Sequence, residues 1–352
     1  MIRILSMNTD SKIALITVTK KAKELAKVIK LKLGAGDIYT TSKLCEKGTI
    51  EISPSLSEMT GELFKQYDTL IFIMATGIVV RMIAPYLQDK FKDPAILVID
   101  EEAKNVISLL SGHIGGANQM THKLSSLLDA NPVITTSTDV NSKAALDNIA
   151  KSIDGYIEHF RETVKDINYR LVHEGKIGLY QEEDYRLDTR GFTLLDSLEN
   201  LEALEKVIYI THKKRIDSPS DKIIKLIPRN LVIGIGCRKD TNKQLLEDSV
   251  NHFLEHYNID THAIKCLASI DVKAHEKAII KLAEKLELPF EIVSRAEIEK
   301  IEHLFEKSEF VKKNIGVYSV AEPVAYLLSG GNLWIKKHKY QGITFAIGRI
   351  KL

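Results

Sequence analysis

Short apolar runs, each followed by an amphipathic segment, recur along the chain. Leu70–Met74 and Ala95–Ile99 are brief, β-branched and closed by polar or small residues, the pattern of buried parallel strands. The first ends in Ala75-Thr76-Gly77 before the amphipathic Ile78–Leu87, and a third run, Val106–Leu110, ends in Ser111-Gly112-His113-Ile114-Gly115-Gly116-Ala117-Asn118. Upstream, Ile13–Thr19 reads as a strand, Lys20–Leu33 as a helix capped by Gly34, Asp37–Thr41 as a strand, and Pro54-Ser55 as the start of a helix to Gln66. Downstream, Gly115–Leu128 reads as a helix, Pro132–Thr135 as a strand and Asn141–Ala150 as a helix. This alternation predicts a mainly parallel sheet covered on both faces.

From Lys151 the pattern loosens. Gly175–Tyr180 and Lys206–Thr211 read as strands, but Gln181–Asn200 is polar and weakly periodic, so the segment is expected to be irregular. Periodicity returns with the strand Leu231–Gly236, the helix Asn242–His256, the strand Ala263–Ile270 and the helix Ala274–Leu286. Phe290–Ser294, Leu333–Lys336 and Ile343–Arg349 read as strands, and Arg295–Phe305 and Ser319–Leu328 as helices. The expected class is α/β: an N-terminal α/β domain (1–150), a smaller irregular middle segment (151–230) and a C-terminal α/β domain (231–352), both α/β domains with mainly parallel sheets. A chain of 352 residues fits two or three domains.

Composition narrows the function. A net charge of +2 gives no electrostatic case for nucleic acid. The three cysteines, Cys45, Cys237 and Cys266, form neither a zinc pattern nor a disulfide framework, which suits a reducing cytosol. No apolar run approaches transmembrane length, and Met1–Asp10 lacks a signal-peptide core. A cytoplasmic chain with no membrane role is the expectation.

Ser111–Asn118 is the richest candidate site. Gly112, Gly115 and Gly116 permit close backbone approach, amides at a helix start attract anions, and His113 can move a proton near neutral pH. Ser111 and Asn118 add a hydroxyl and a carboxamide, though His113 could equally just pack at the helix start. The spacing is neither a dinucleotide fingerprint nor a phosphate loop, which counts against a nucleotide-dependent enzyme. Thr76, Gly77 and Arg81 stand at the preceding strand-to-helix turn, where a guanidinium suits a carboxylate or simply faces water. Thr135, Thr136 and Asp139 close the next strand, as ligand groups or as helix caps. Three successive strand ends with polar contents suggest that the turns converge on one site. Towards the C-terminus, Arg238, Asp271 and Lys273 end strands, and Lys336 opens a basic run. Glu322 completes a capping box with Ser319 or itself caps the helix that Pro323 begins.

These residues fall within longer motifs. ATGIVVRMIAP (75–85), KFKDPAILVID (90–100), SLLSGHIGGAN followed by PVITTSTD, GIGCRKDT (234–241), LASIDVKAHE (267–276), GVYSVAEPVA (316–325) and the closing lysines with ITFAIGR resemble the CbiG family of cobalamin biosynthesis, the cobalt-precorrin-5A hydrolases. The resemblance spans nearly the whole chain and is weak only in the middle. It implies a cobalt-bound, ring-contracted tetrapyrrole with a δ-lactone as substrate, lactone opening by water, and release of acetaldehyde to give cobalt-precorrin-5B on the anaerobic route to vitamin B12. Cobalt arrives with the substrate, so no protein cofactor or metal site is implied. On this reading His113, Ser111 and Asp139 are the catalytic candidates. Thr76, Gly77, Arg81, Gly112, Gly115, Gly116, Asn118, Thr135, Thr136, Arg238, Asp271, Lys273, Glu322 and Lys336 are the substrate-binding ones. The expected partners are the tetrapyrrole intermediate and neighbouring pathway enzymes. The alternative is a non-enzymatic protein that binds or hands over a corrinoid intermediate.

Overall fold

In the computed structural model, residues 12–217 and 220–352 are described; the reading of Met1–Asp10 lies outside them. The chain divides into two compact units. One comprises Met1–Lys151, Asn168–Gly175 and Thr189–Gly191, the other Ser152–Ile167, Lys176–Asp188 and Phe192–Leu352.

The first unit is built on seven strands: β1 (Ile13–Thr17), β2 (Asp37–Thr40), β3 (Ile50–Glu51), β4 (Thr69–Ile73), β5 (Ala95–Ile99), β6 (Asn105–Leu110) and β7 (Asn131–Val133). Their order in the sheet is β3-β2-β1-β4-β5-β6-β7. The helices are α1 (Lys20–Leu33), α2 (Leu56–Gln66), α3 (Thr76–Ile83), α4 (Ala117–Leu128), α5 (Ser137–Val140) and α6 (Leu146–Ser152). Every residue of β1, β4 and β5 is buried, because both faces of the sheet are covered. Ile71, Ile73 and Leu97 pack with Ala26 and Ile29 of α1 and Leu124 of α4; Leu70, Phe72 and Val98 pack with Leu63 of α2 and Val79 of α3. Gly34 caps α1 in the left-handed conformation, as its position predicts.

All neighbouring strands in this sheet are parallel except β5 and β6. Only Asp100–Lys104 link those two, and a parallel return needs a crossover of about a dozen residues or more. The Asp100 carboxylate fixes the reversal by accepting the N–H groups of Glu102, Lys104 and Asn105. The carboxyl ends of β6 and β7 therefore lie at the edge where β4 and β5 begin. A hydrogen bond of 3.0 Å from Ser111 Oγ to the Asp93 carbonyl, just ahead of β5, reflects this.

Two element readings need correction. The helix expected over Asn141–Ala150 starts only at Leu146, since Asn141 closes α5 and Ser142 has a φ of 53°. The helix expected over Ile78–Leu87 becomes a 3-10 turn at Ala84–Tyr86, where Pro85 removes an amide.

The second unit holds two sheets. The stretch expected to be irregular forms β8 (Gly155–Tyr156), α7 (Phe160–Val172), β9 (Ile177–Gln181), β10 (Thr193–Leu194), β11 (Lys206–Ile210) and β12 (Ile223–Pro228), with sheet order β10-β9-β11-β12-β8; the end of α7 from Asn168 belongs to the first unit. Its two-residue edge strands and the polar link from Glu182 to Phe192 hide the pattern. The other sheet is made by β13 (Leu231–Gly236), β14 (Ile264–Ile270), β15 (Phe290–Val293), β16 (Leu333–Tyr340) and β17 (Ile343–Arg349), in the order β15-β14-β13-β17-β16. It is parallel from β13 to β15 and antiparallel around β17, so the antiparallel closing hairpin departs from the mainly parallel expectation. Its helices are α8 (Lys243–His256), α9 (Lys277–Leu286), α10 (Arg295–Ile301), α11 (Glu309–Ile315) and α12 (Ala321–Leu328). Gly234 lets α12 lie against the sheet, because a Cβ there would sit 2.0 Å from the Ala321 carbonyl oxygen. Among the described residues no helix is long and apolar enough to cross a membrane.

Candidate active site

At the edge where β6 and β7 end, the Ser111–Gly116 turn carries His113 towards α5 and α6. The ring is half-buried, with carboxylates on two sides. Nδ1 lies 3.2 Å from Asp147 Oδ2, and Nε2 lies 3.2 Å from Asp139 Oδ2 and 3.0 Å from Thr138 Oγ1. Asn118, buried at the start of α4, donates to Thr136 Oγ1 at 3.0 Å and to Asp139 Oδ2 at 2.9 Å, while its own oxygen accepts from Ser108 Oγ at 2.6 Å. The cluster thus unites His113, Asn118, Thr136 and Asp139 from the sequence candidates with Ser108, Thr138 and Asp147, which the sequence reading missed. Lys151 reaches the same turn, donating to the Ile114 carbonyl at 2.7 Å; burial pushes its ammonium below the usual lysine range.

Burial alone would lower the pKa of His113. The hydrogen bond and charge of Asp147, with the charge of Asp139, outweigh it and hold the imidazole above its ordinary value. Burial likewise opposes ionisation of Asp147, and the His113 contact with an amide from Asn168 overrides it, leaving the carboxyl below its usual range. The two contributions to stability have opposite pH limits. That of His113 is complete below 6.5, its value when unperturbed, and is lost as pH rises through the elevated folded value. That of Asp147 is complete above 3.8 and is lost as pH falls through the depressed folded value. Urea midpoints are therefore expected to decline as pH rises from 6.5, and the decline should be smaller in His113→Gln; equal declines would show that the ring gains nothing from its partners.

The glycines of the turn serve packing within the protein. A Cβ on Gly112 would meet Asn118 Oδ1 at 2.6 Å, one on Gly115 would meet Ser111 Cβ at 2.4 Å and its carbonyl oxygen at 2.7 Å, and Gly116 has a φ of 88°. Ser111, read as catalytic, is 8% exposed and gives its hydroxyl to the Asp93 carbonyl, so it ties the turn to the sheet. Gly115→Ala is expected to lower stability by about 1–3 kcal/mol, the usual range for overpacking. A chemical denaturation midpoint equal to wild type would contradict this tight approach.

The other candidates lie elsewhere. Thr135 is exposed and outside the cluster. Thr76, Gly77 and Arg81 follow β4 at the opposite edge of the same sheet, and a strand of β4's length spans about 17 Å. Arg81 folds back onto the Gly77 carbonyl at 3.0 Å. The expected convergence of three turns is thus corrected to two, because β6 runs against β4 and β5. Arg81→Ala should leave the titration of His113, followed by NMR of the ring, unchanged.

In the second unit, Lys273 is buried beside Glu276 at 3.1 Å, and Glu276 also accepts the Asp240 N–H at 3.2 Å. Asp271 receives the Arg295 N–H at 3.1 Å, at the start of α10. Glu322 is 6% exposed and accepts the Lys337 N–H at 3.1 Å. It forms no helix cap; Val320 occupies that position without a side-chain bond. Lysine at 273 and the two acids are thus committed to internal partners, whereas Arg238 and Lys336 are exposed. Burial pushes the Cys237 thiol up, against the Thr241 hydrogen bond and the charge of Lys273, which does not favour a nucleophilic thiolate.

Models of the N-terminal and C-terminal parts of cobalamin synthesis protein G match residues 58–139 and 231–348. A cobalt-precorrin-5A hydrolase from Salmonella typhimurium is 39% identical over 97% of this chain and 99% of its own length. The chain belongs to the CbiG family. A cobalt-precorrin-5A hydrolase from Priestia megaterium is 32% identical over 96% of this chain and 94% of its own. Among solved structures, a cobalamin biosynthesis protein G homologue from Sulfolobus solfataricus aligns over 97% of both chains at 24% identity, with a TM-score of 0.43. The N-terminal CbiG match contains His113, Asn118, Thr136, Thr138 and Asp139 and ends before Asp147.

Proposed function

We propose that this chain is a cobalt-precorrin-5A hydrolase of cobalamin biosynthesis, and that His113 is its proton-transferring group. Identity of 39% to a relative of that name over nearly the full length supports the activity. The imidazole set between Asp147 and Asp139 at the ends of two strands supports the assignment of His113.

Opening a δ-lactone needs water made nucleophilic and charge stabilised on the acyl oxygen. His113 takes the proton of the attacking water. The C–O bond breaks, giving a carboxylate and a secondary alcohol. Removal of the alcohol proton then lets its oxygen form the carbonyl of acetaldehyde as the adjoining C–C bond breaks. The bonding pair passes into the conjugated macrocycle. Asp139, on the more open side of the ring, stabilises the imidazolium between these steps. In this reading cobalt arrives with the tetrapyrrole, the chain contributes no cofactor of its own, and neighbouring pathway enzymes deliver and collect the intermediates. Purified protein given cobalt-precorrin-5A should release one acetaldehyde per substrate consumed; binding without acetaldehyde would instead favour a carrier.

A further inference from the structure

The two nitrogens of His113 have unequal surroundings. Asp147, on α6, is 3% exposed, and its neighbours fix both of its oxygens. Oδ2 faces His113 Nδ1 at 3.2 Å, and Oδ1 accepts Asn168 Nδ2 at 3.1 Å. Asn168 is itself oriented: its side-chain oxygen accepts the Leu146 N–H at 2.8 Å, which forces its amide nitrogen towards Asp147. An ionised carboxylate only accepts, so a hydrogen bond to Asp147 requires the hydrogen on Nδ1. Nε2 looks the other way. Its neighbours are the Thr138 hydroxyl, which can donate or accept, and Asp139, whose side chain is 31% exposed.

We propose that Asp147, held by Asn168, is a positioning residue of the reaction: it binds the Nδ1–H of His113 and reserves Nε2 as the nitrogen that exchanges protons with the substrate. This rests on the assignment of His113 above and adds the tautomer and its cause. In the neutral ring Nε2 accepts from the Thr138 hydroxyl. When Nε2 takes a proton it donates to Asp139, and the hydroxyl of Thr138 can turn to accept. The rest of the ring stays where the Asp147–Asn168 pair holds it, so each proton transfer needs no reorientation. The charged groups around the ring are Asp147 on α6, Asp139 on α5 and Lys151, whose ammonium is bonded to the turn at Ile114. Asp139 is the competing orienting acid. If it held the neutral ring, the hydrogen would sit on Nε2.

Ring nitrogen NMR of the resting protein, labelled at histidine, separates the two without substrate. With His113→Gln used to assign the signals, the neutral ring is expected to carry its hydrogen on Nδ1; a hydrogen on Nε2 overturns the proposal. In Asp147→Asn the proton on His113 should be lost at lower pH. The rising limb of the acetaldehyde-release profile should move with it, while kcat falls about 100-fold or more and KM stays within about threefold. Asn168→Ala, which leaves Asp147 in place, should shift the same titration in the same direction with a smaller loss of kcat. Unshifted titrations in both folded variants would likewise overturn the proposal. Full turnover by His113→Ala would remove the assignment of His113 as base yet leave the tautomer result standing, so the two failures are distinguishable.

Discussion

His113→Ala is expected to lower acetaldehyde release by about two to four orders of magnitude, the contribution of a positioned acid–base group. The loss should fall on kcat, because the role proposed for the ring is proton transfer and not the binding of a large macrocycle with many carboxylates. Asp147 is 3% exposed, and removing the ring takes away its partner at Oδ2 while Asn168 stays at Oδ1, so some stability is also lost. His113→Gln retains a hydrogen-bonding group and separates the effects: it should recover part of the denaturation midpoint and none of the rate. Measured single-turnover rates within tenfold of wild type for both variants would remove His113 from the chemistry.

The second large effect is structural. Lys273→Met should destabilise the second unit by about 3 kcal/mol or more, because it strands a buried carboxylate. Lys273 and Glu276 are each 7% exposed, and the Asp240 N–H is the other partner that Glu276 keeps. The double variant Lys273→Met/Glu276→Gln should regain much of the loss, since a neutral amide can still accept that N–H. A lysine whose main role was to grip substrate would give the reverse: an unchanged unfolding midpoint and a raised KM. The expected split identifies Lys273 as an internal strut.

Much of the fold was legible because buried strands are short, mostly apolar runs, and β5, β13 and β17 match the sequence reading at both ends. The middle sheet was legible only in part: β9 and β11 fall on runs read as strands, whereas β8 and β10 are two residues long and too short for any periodicity to register. The direction of β6 could have been read from the brevity of Asp100–Lys104, which permits a reversal and forbids a crossover. Overlooking that constraint placed Arg81 beside His113. Within the site, His113, Asn118 and Asp139 stood out as polar groups at strand ends. Asp147 carried a subtler signal: it lies among Leu146, Ile149 and Ala150, all buried, and an acid within an apolar stripe needs a partner. Asn168 gave no comparable mark, because its role arises only from its bonds to Asp147 and Leu146, 21 and 22 residues away in the chain. The glycines were correctly noticed as demanding positions, but the bodies that approach them are Asn118 and Ser111.

The most direct test compares two titrations of one group. The pH at which His113 loses its proton, read by ring NMR in the free protein, should lie above 6.5 and should coincide with the rising limb of kcat/KM for acetaldehyde release, since that profile reports the free enzyme. The two should coincide in wild type and be displaced together in Asp147→Asn. A rising limb in the carboxylate range, or one that persists unaltered in His113→Ala, would contradict the role of His113.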